Sequence, residues 1–269
     1  MSTAVALPVV HAKVREMYLR TQERPMDFAR LLPWQAPIVA LALGYDWRSE
    51  WGPAPSMPPR LIVAVAANQT GKSTAEGLIV ARHVTGRSKR FPRAYQGNCE
   101  VWGGMPTLAD SMATQRPHIS AWLGTEAKAH WIPRDITSAN QSFMRTDAGW
   151  LLRLKAFEQG GAAWESGTLQ AAYLDEPPPD WVLAALRVRT ARHDGLILSI
   201  FTAVQEGRTS PAVDSTLYRE TFVPWQEYHA RHPKAKFAEV SPGVWVFSVG
   251  ARDNAVSVGG YLPDERIAS

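Results

Sequence analysis

Two hydrophobic periods alternate along this chain, and the switches between them lay out its elements. Residues 11–32 carry apolar positions at helical spacing as far as Pro33. "PWQAPIVALALG" (33–44) resumes as a short apolar helix that ends at Gly44. "RLIVAVA" (60–66) is a near-continuous aliphatic run of strand length, the kind covered on both faces of a parallel sheet. A helix over 72–86 follows and closes at Gly86, and "CEVWGGM" (99–105) is a second strand. "TLADSMATQRPHISAWLG" (107–124) reads as a helix opened by Thr107, with Pro117 expected to break or kink it. "SFMRT" and "GWLLRLKAF", around Asp147-Ala148-Gly149, predict a hairpin. "LQAAYLDE" (169–176) is a third buried strand, "DWVLAALRVRTAR" (180–192) an amphipathic helix and "GLILSIFTA" (195–203) a fourth buried strand. Weaker signals predict helices near 213–222 and 224–231 and a strand over 243–250. Strands alternating with helices predict an α/β fold.

The chain has 269 residues and is 45% hydrophobic, enough for one full α/β domain with a small appendage. Its one cysteine, Cys99, excludes an internal disulfide and fits a reduced intracellular compartment. The first apolar run lacks a preceding basic residue and is interrupted by Pro8, unlike a signal peptide. No apolar run approaches the roughly 20 residues of a membrane span. A net charge of +4 is compatible with a polyanionic partner without requiring one. The 11 Trp and 20 Pro are many, and "GYDWRSEWGPAPSMPP" (44–59) concentrates several of them in a predicted connector. The histidines, His11, His83, His118, His130, His193, His229 and His232, show no zinc-site spacing.

The chemistry gathers around "AVAANQTGKSTAEGL" (64–78), which fits A/G-x-x-x-x-G-K-S from Ala66 to Ser73 between a strand and a helix. A tight loop at a helix N-terminus presents backbone N–H groups to phosphate oxygens. The nucleotide-binding candidates are therefore Ala67, Asn68, Gln69, Thr70, Gly71, Lys72, Ser73 and Thr74. Lys72 suits the β- and γ-phosphates of ATP, and the Ser73 hydroxyl suits Mg²⁺. The acid pair ending the 169–176 strand supplies the second element. Asp175 would hold Mg²⁺ through water, and Glu176 would polarise the attacking water as general base. Thr202 ends the next strand. Its hydroxyl either senses the γ-phosphate and couples its loss to the following loop, or simply caps the strand.

Taken together, "ANQTGKS", "LKAFEQGGAAWESGTLQAAYLDEPPPDW" and "ALRVRTARHDGLILSIFTA" resemble the ATPase domain of the large terminase subunit of tailed bacteriophages. The resemblance covers roughly residues 30–210. The upstream Gly-Thr and the proline-flanked acid pair are its more specific features; the phosphate loop is shared with many ATPases. It implies an ASCE-type P-loop NTPase whose mostly parallel sheet is flanked by helices, with an N-terminal helical extension. Residues 1–59 would form that extension, 60–255 the ATPase core, and 256–269 the start of a linker to a C-terminal nuclease domain absent from this chain. Departures from the pattern are Asn68 where many members have arginine, Ala203 after Thr202, and Pro177 in place of a second Glu. An arginine finger is therefore left among Arg145, Arg153, Arg187 and Arg189. Gln35 in "LLPWQAP" resembles an adenine-reading glutamine, and it reads equally as a helix-surface residue.

The implied function is an ATP- and Mg²⁺-dependent motor that drives double-stranded DNA into a procapsid. Its implied partners are the portal protein, a small terminase subunit and copies of itself in a ring, with a monomer expected in isolation. The implied location is the host cytoplasm, docked on the procapsid and absent from the mature virion. A nucleic-acid-stimulated helicase or remodelling ATPase is the alternative. A tracking helicase, however, needs two motor folds. A small-molecule kinase needs an arginine-rich lid, and "QEGRTSPAVD" (205–214) holds only Arg208.

Overall fold

The computed structural model describes residues 7–67, 70–92, 99–125, 129–132, 142–165, 167–202 and 211–250. Its strands are β1 (Leu61–Ala66), β2 (Cys99–Met105), β3 (Ala129–Ile132), β4 (Phe143–Thr146), β5 (Leu151–Ala156), β6 (Thr168–Leu174), β7 (Leu196–Thr202), β8 (Phe237–Ser241) and β9 (Val244–Val249). They form one nine-stranded sheet in the order β3-β4-β5-β2-β6-β7-β1-β9-β8. The centre is parallel: β1 pairs with β7 and β9, β6 with β7 and β2, and β2 with β5. Antiparallel pairs are confined to the margins, β3–β4, β4–β5 and β8–β9. The expected hairpin is β4–β5.

The helices are α1 (Leu7–Glu23), α2 (Gln35–Leu43), α3 (Lys72–Val84), α4 (Leu108–Asp110), α5 (Arg116–Leu123), α6 (Gly161–Trp164), α7 (Asp180–Thr190) and α8 (Val223–Arg231). Side chains alternate across a strand, so β1 serves both faces. Ile62, Ala64 and Ala66 join a core with Leu43 of α2, Ile79 of α3 and Ile119 of α5. Leu61 and Val63 join the other core with Val182, Leu183 and Leu186 of α7. Both faces are dry, which explains why β1 reads as an unbroken aliphatic run. Each fully buried aliphatic such as Ile62 or Ile79 contributes about 1.5–3 kcal/mol relative to exposure. Because α2 shares this core, part of the 1–59 segment is built into the sheet's packing.

Several expectations are corrected. The helix expected over 11–32 stops at Glu23, and a 3₁₀ turn, Pro25–Phe28, replaces it. Pro25 has no N–H and disfavours helical geometry at the residue before it. Pro117 does not break its helix: α4, a π turn (Ser111–Gln115) and α5 follow without a gap. The wider turn lies just upstream of the proline and absorbs its missing donor. The helices expected near 213–222 and 224–231 are one run, in which a π turn, Tyr218–Phe222, leads into α8 at Pro224. β3 and β8 were not anticipated. The 44–59 connector contains a 3₁₀ turn, Ser49–Trp51, and Trp47 packs edge-on against Trp51 at 5.1 Å.

Candidate active site

The loop carrying Gly71 and Lys72 leaves the end of β1 and enters α3. Asn68 and Gln69 lie outside the described residues. Around them, the Ala67 amide donates to Val249 O (2.9 Å), which continues the sheet. The Thr70 hydroxyl donates back to Ala67 O (2.8 Å). Gly71, at φ 80°, makes the left-handed turn into α3, a conformation that favours glycine. A Cβ there would also lie 2.8 Å from Gln35 Nε2. The neighbouring carbonyls are held from α2. The Trp34 indole donates to Thr70 O (3.2 Å) and Gln35 Nε2 to Gly71 O (2.9 Å), while Gln35 Oε1 accepts from Leu32 N (2.9 Å). Gln35 is thus a buried residue with both ends of its amide engaged.

Asp175 and Glu176 follow the last residue of β6, and the Asp175 amide donates to Gly104 O (3.1 Å). Burial raises the Asp175 carboxyl, while Lys72, His118 and a hydrogen bond from Ser73 hold it down. Glu176 is half-buried. Burial pushes its carboxyl up to about 7, Asp175 and Asp110 adding to the rise and Lys72 opposing it. Its Oε2 is enclosed and has no hydrogen-bond partner among the described residues. Glu176 opens on a cleft of about 540 Å³ walled by Pro106, Pro177, Pro178, Pro179 and Pro211.

In space the strand between the loop strand β1 and the acid strand β6 is β7; β2, which lies between them in sequence, flanks β6 on its far side. Thr202 therefore sits beside Ala66 at the end of β7, and Lys72 Nζ donates to its hydroxyl at 2.5 Å. The structure thus brings together Thr70, Gly71, Lys72, Ser73, Asp175, Glu176 and Thr202. Thr74 faces outward on the first turn of α3, its carbonyl accepting from the Trp122 indole (3.0 Å).

The arginines are separated by their partners. Arg153 is ion-paired with buried Glu100 (2.5 Å), which also accepts from the Trp102 indole (2.9 Å). Arg187 makes a two-pronged pair with Glu220. Arg145 is exposed on β4, and Arg189 is half-buried on α7.

Sequence reasoning missed Glu76. It is buried one turn beyond Lys72, accepts from Gln115 Nε2 (2.8 Å), and is raised well above the usual carboxylate range by burial and then by Asp175. The available signal was its setting: α3 is apolar on nearly every side past its first turn, so a charge there has little chance of reaching water. A larger cleft, about 830 Å³, opens at the opposite ends of β1, β7 and β9, beside Leu61, Ile197 and Val244. Of the candidates among the described residues, only Arg187 lines it.

No protein-family model and no curated protein matches the sequence. A solved structure does: the large terminase from a thermophilic bacteriophage aligns over 88% of this chain with a TM-score of 0.52 at 12% identity. The chain shares the fold of the part of that large terminase with which it aligns. It spans 48% of that phage protein's length. Two structures of the Thermus phage P74-26 large terminase ATPase domain, one an arginine mutant, align over 86% and 88% of the chain at 15% identity, with TM-scores of 0.47 and 0.41. In this fold the loop and the acid pair stand at the C-terminal ends of parallel strands, where ligands of open α/β sheets bind.

The donor set fits a nucleotide with Mg²⁺. An ammonium stands at a helix N-terminus, and a hydroxyl and a carboxylate, hard oxygen ligands, touch each other beside it.

Proposed function

We propose that this chain is the ATPase motor of a viral DNA-packaging terminase, hydrolysing ATP to translocate double-stranded DNA into a procapsid. One observation carries the reading: Lys72, Ser73, Asp175, Glu176 and Thr202 converge at the ends of β1, β6 and β7 in a terminase fold. In this reading Lys72 and the loop amides hold the phosphates. Ser73 and Asp175 hold Mg²⁺, which supplies charge neutralisation on the β- and γ-phosphates. The unpartnered Glu176 Oε2 accepts a proton from the attacking water, and its raised carboxyl is matched to work near neutral pH. Thr202, already bonded to Lys72, reports the state of the γ-phosphate. The portal protein, a small terminase subunit and a ring of copies on the procapsid in the host cytoplasm complete the proposal. No DNA cutting is proposed for these residues.

The test is ATP turnover and nucleotide binding by this chain and its variants. Glu176→Gln is expected to keep ATP binding and lose about 10²–10⁴-fold in rate, the range of a general base. Lys72→Ala is expected to lose binding and turnover together. Near-wild-type turnover by Glu176→Gln removes it from catalysis. A plasmid incubated with the chain and Mn²⁺ is expected to stay supercoiled.

A further inference from the structure

The phosphate loop is held from outside by a segment far away in sequence. Trp34 and Gln35 open α2, yet their side chains end on the carbonyls of Thr70 and Gly71. Both residues are buried, at 4% exposure each. Gln35 is itself fixed, because its Oε1 accepts the Leu32 amide. That bond settles which end of the amide faces the loop, since Leu32 N can only donate. The close approach of Gly71 to Gln35 Nε2 shows that the fit leaves no room for a side chain at 71.

A trans peptide is planar, and its C=O and the following N–H point in opposite directions. A donor holding Thr70 O therefore turns the Gly71 N–H away from α2. A donor holding Gly71 O does the same for the Lys72 N–H. These two amides flank the Gly-Lys step of the loop. Gly71 O also accepts the Ala75 amide (3.0 Å), so its plane is fixed from both sides. With Ala67 O taken by Thr70 Oγ1, the loop's described carbonyls at 67, 70 and 71 all face protein donors. Carbonyls turned outward and amides turned inward make an anion nest.

We propose that Trp34 and Gln35 are positioning residues that pre-set the phosphate loop, and that Gln35 recognises the loop backbone and does not read the adenine base. The inference rests on the nucleotide reading above. In it, base choice does not depend on Gln35, because both ends of its amide are used within the chain. Its contribution reaches any ligand with a polyphosphate, whatever base is attached.

The test measures binding of ATP, GTP and inorganic tripolyphosphate, which has no base, to the 269-residue chain. Trp34→Phe removes the indole donor and keeps an aromatic ring in the core. Gln35→Met keeps length and neutrality and removes both hydrogen bonds. Each variant is expected to weaken all three ligands by the same factor, about five- to tenfold for one neutral hydrogen bond. The ratio of ATP to GTP affinity should not move, and the melting temperature should fall by no more than a few degrees. Loss of ATP preference in Gln35→Met, with tripolyphosphate binding intact, makes Gln35 a base reader and overturns the proposal. So does unchanged tripolyphosphate binding in folded Trp34→Phe, which decides the matter if Gln35→Met does not fold. If the wild-type chain binds none of the three, the nucleotide reading itself falls and takes this one with it. Wild-type binding with unaffected variants overturns the positioning role alone.

Discussion

Lys72 Nζ lies 2.5 Å from the Thr202 hydroxyl, so the first residue of α3 and the last residue of β7 are directly bonded. The contact exists because β7 is inserted between β1 and β6. Ala66 and Thr202 are paired across β1 and β7, and the loop carries Lys72 back over that pair. The strand that follows the acid pair is thereby wired to the cation that opens α3.

Thr202→Val removes the hydroxyl and keeps the branched shape. A hydrogen bond to a charged group is worth about 1.5–3 kcal/mol, so the expected loss is roughly ten- to a hundredfold in kcat. KM for ATP should change little, because Lys72 remains. Steady-state kinetics separate the two parameters. Unchanged kcat returns Thr202 to the role of a strand cap.

The arginines should divide into two pairs. Arg153→Ala leaves buried Glu100 facing the Trp102 indole without its cation, which is expected to cost about 1–3 kcal/mol in denaturant unfolding. Arg187→Ala should lower stability less, since its pair with Glu220 is partly exposed. Arg145→Ala should leave stability unchanged. Mixing Arg145→Ala or Arg189→Ala with a Lys72→Ala chain under assembled conditions tests for a finger supplied between subunits. Activity recovered in neither mixture excludes both as fingers.

His83 supplies a pH dependence. It is fully buried, shares a 2.6 Å hydrogen bond with Tyr173 OH, and is lowered to about 3 by burial, with the Arg90 cation adding to the effect. The unfolded chain takes up this proton near 6.5 and the folded chain does not, so the contribution is complete above 6.5 and declines as pH falls towards 3. By pH 5 the loss from this one group is about 2 kcal/mol. Urea midpoints of the wild type and His83→Leu between pH 7 and 4.5 should converge as pH drops. A constant difference between them rules out His83 as the source.

Gly77→Ala tests the seam between α3 and α5. A Cβ at 77 would lie 2.8 Å from the His118 carbonyl carbon and oxygen. These are backbone atoms, so the clash of about 1–3 kcal/mol should outweigh the roughly 1 kcal/mol of helix propensity that alanine gains. A stabilised Gly77→Ala in thermal melts would contradict this packing.

The parts of the site legible in the sequence are those set by neighbouring residues. The loop from Ala66 to Ser73 and the Asp175-Glu176 pair each occupy one short stretch, and β1, β6 and β7 announce themselves because both faces of the sheet are dry. Terminal strands carry no such signal: β3 is the four-residue "AHWI", and β8 "FAEVS" is half-exposed along most of its length. Glu76 is not singled out in the sequence, because the partner that satisfies its buried carboxylate, Gln115, lies 39 residues on. Gln35 left its adenine-reading and helix-surface readings equally open, and neither anticipated its partner Gly71, 36 residues away. Proline rules predicted a break or kink at Pro117 and overlooked the π turn just upstream, which is the backbone's alternative to breaking.

That turn has a consequence for length variation. A regular helix advances about 100° per residue, and a π turn takes up roughly one extra residue without adding a turn. Ser111–Gln115 therefore resets the angular phase of everything after it. Gln115 reaches Glu76, and the His118 backbone meets Gly77, because of this phase. Removing one residue between 111 and 115 would restore an ordinary helix and leave the backbone that follows facing α3 as before. The wide turn is thus the place where this helix can lose a residue without rotation, whereas the same single-codon deletion in α5 would turn the groups beyond it by about 100°.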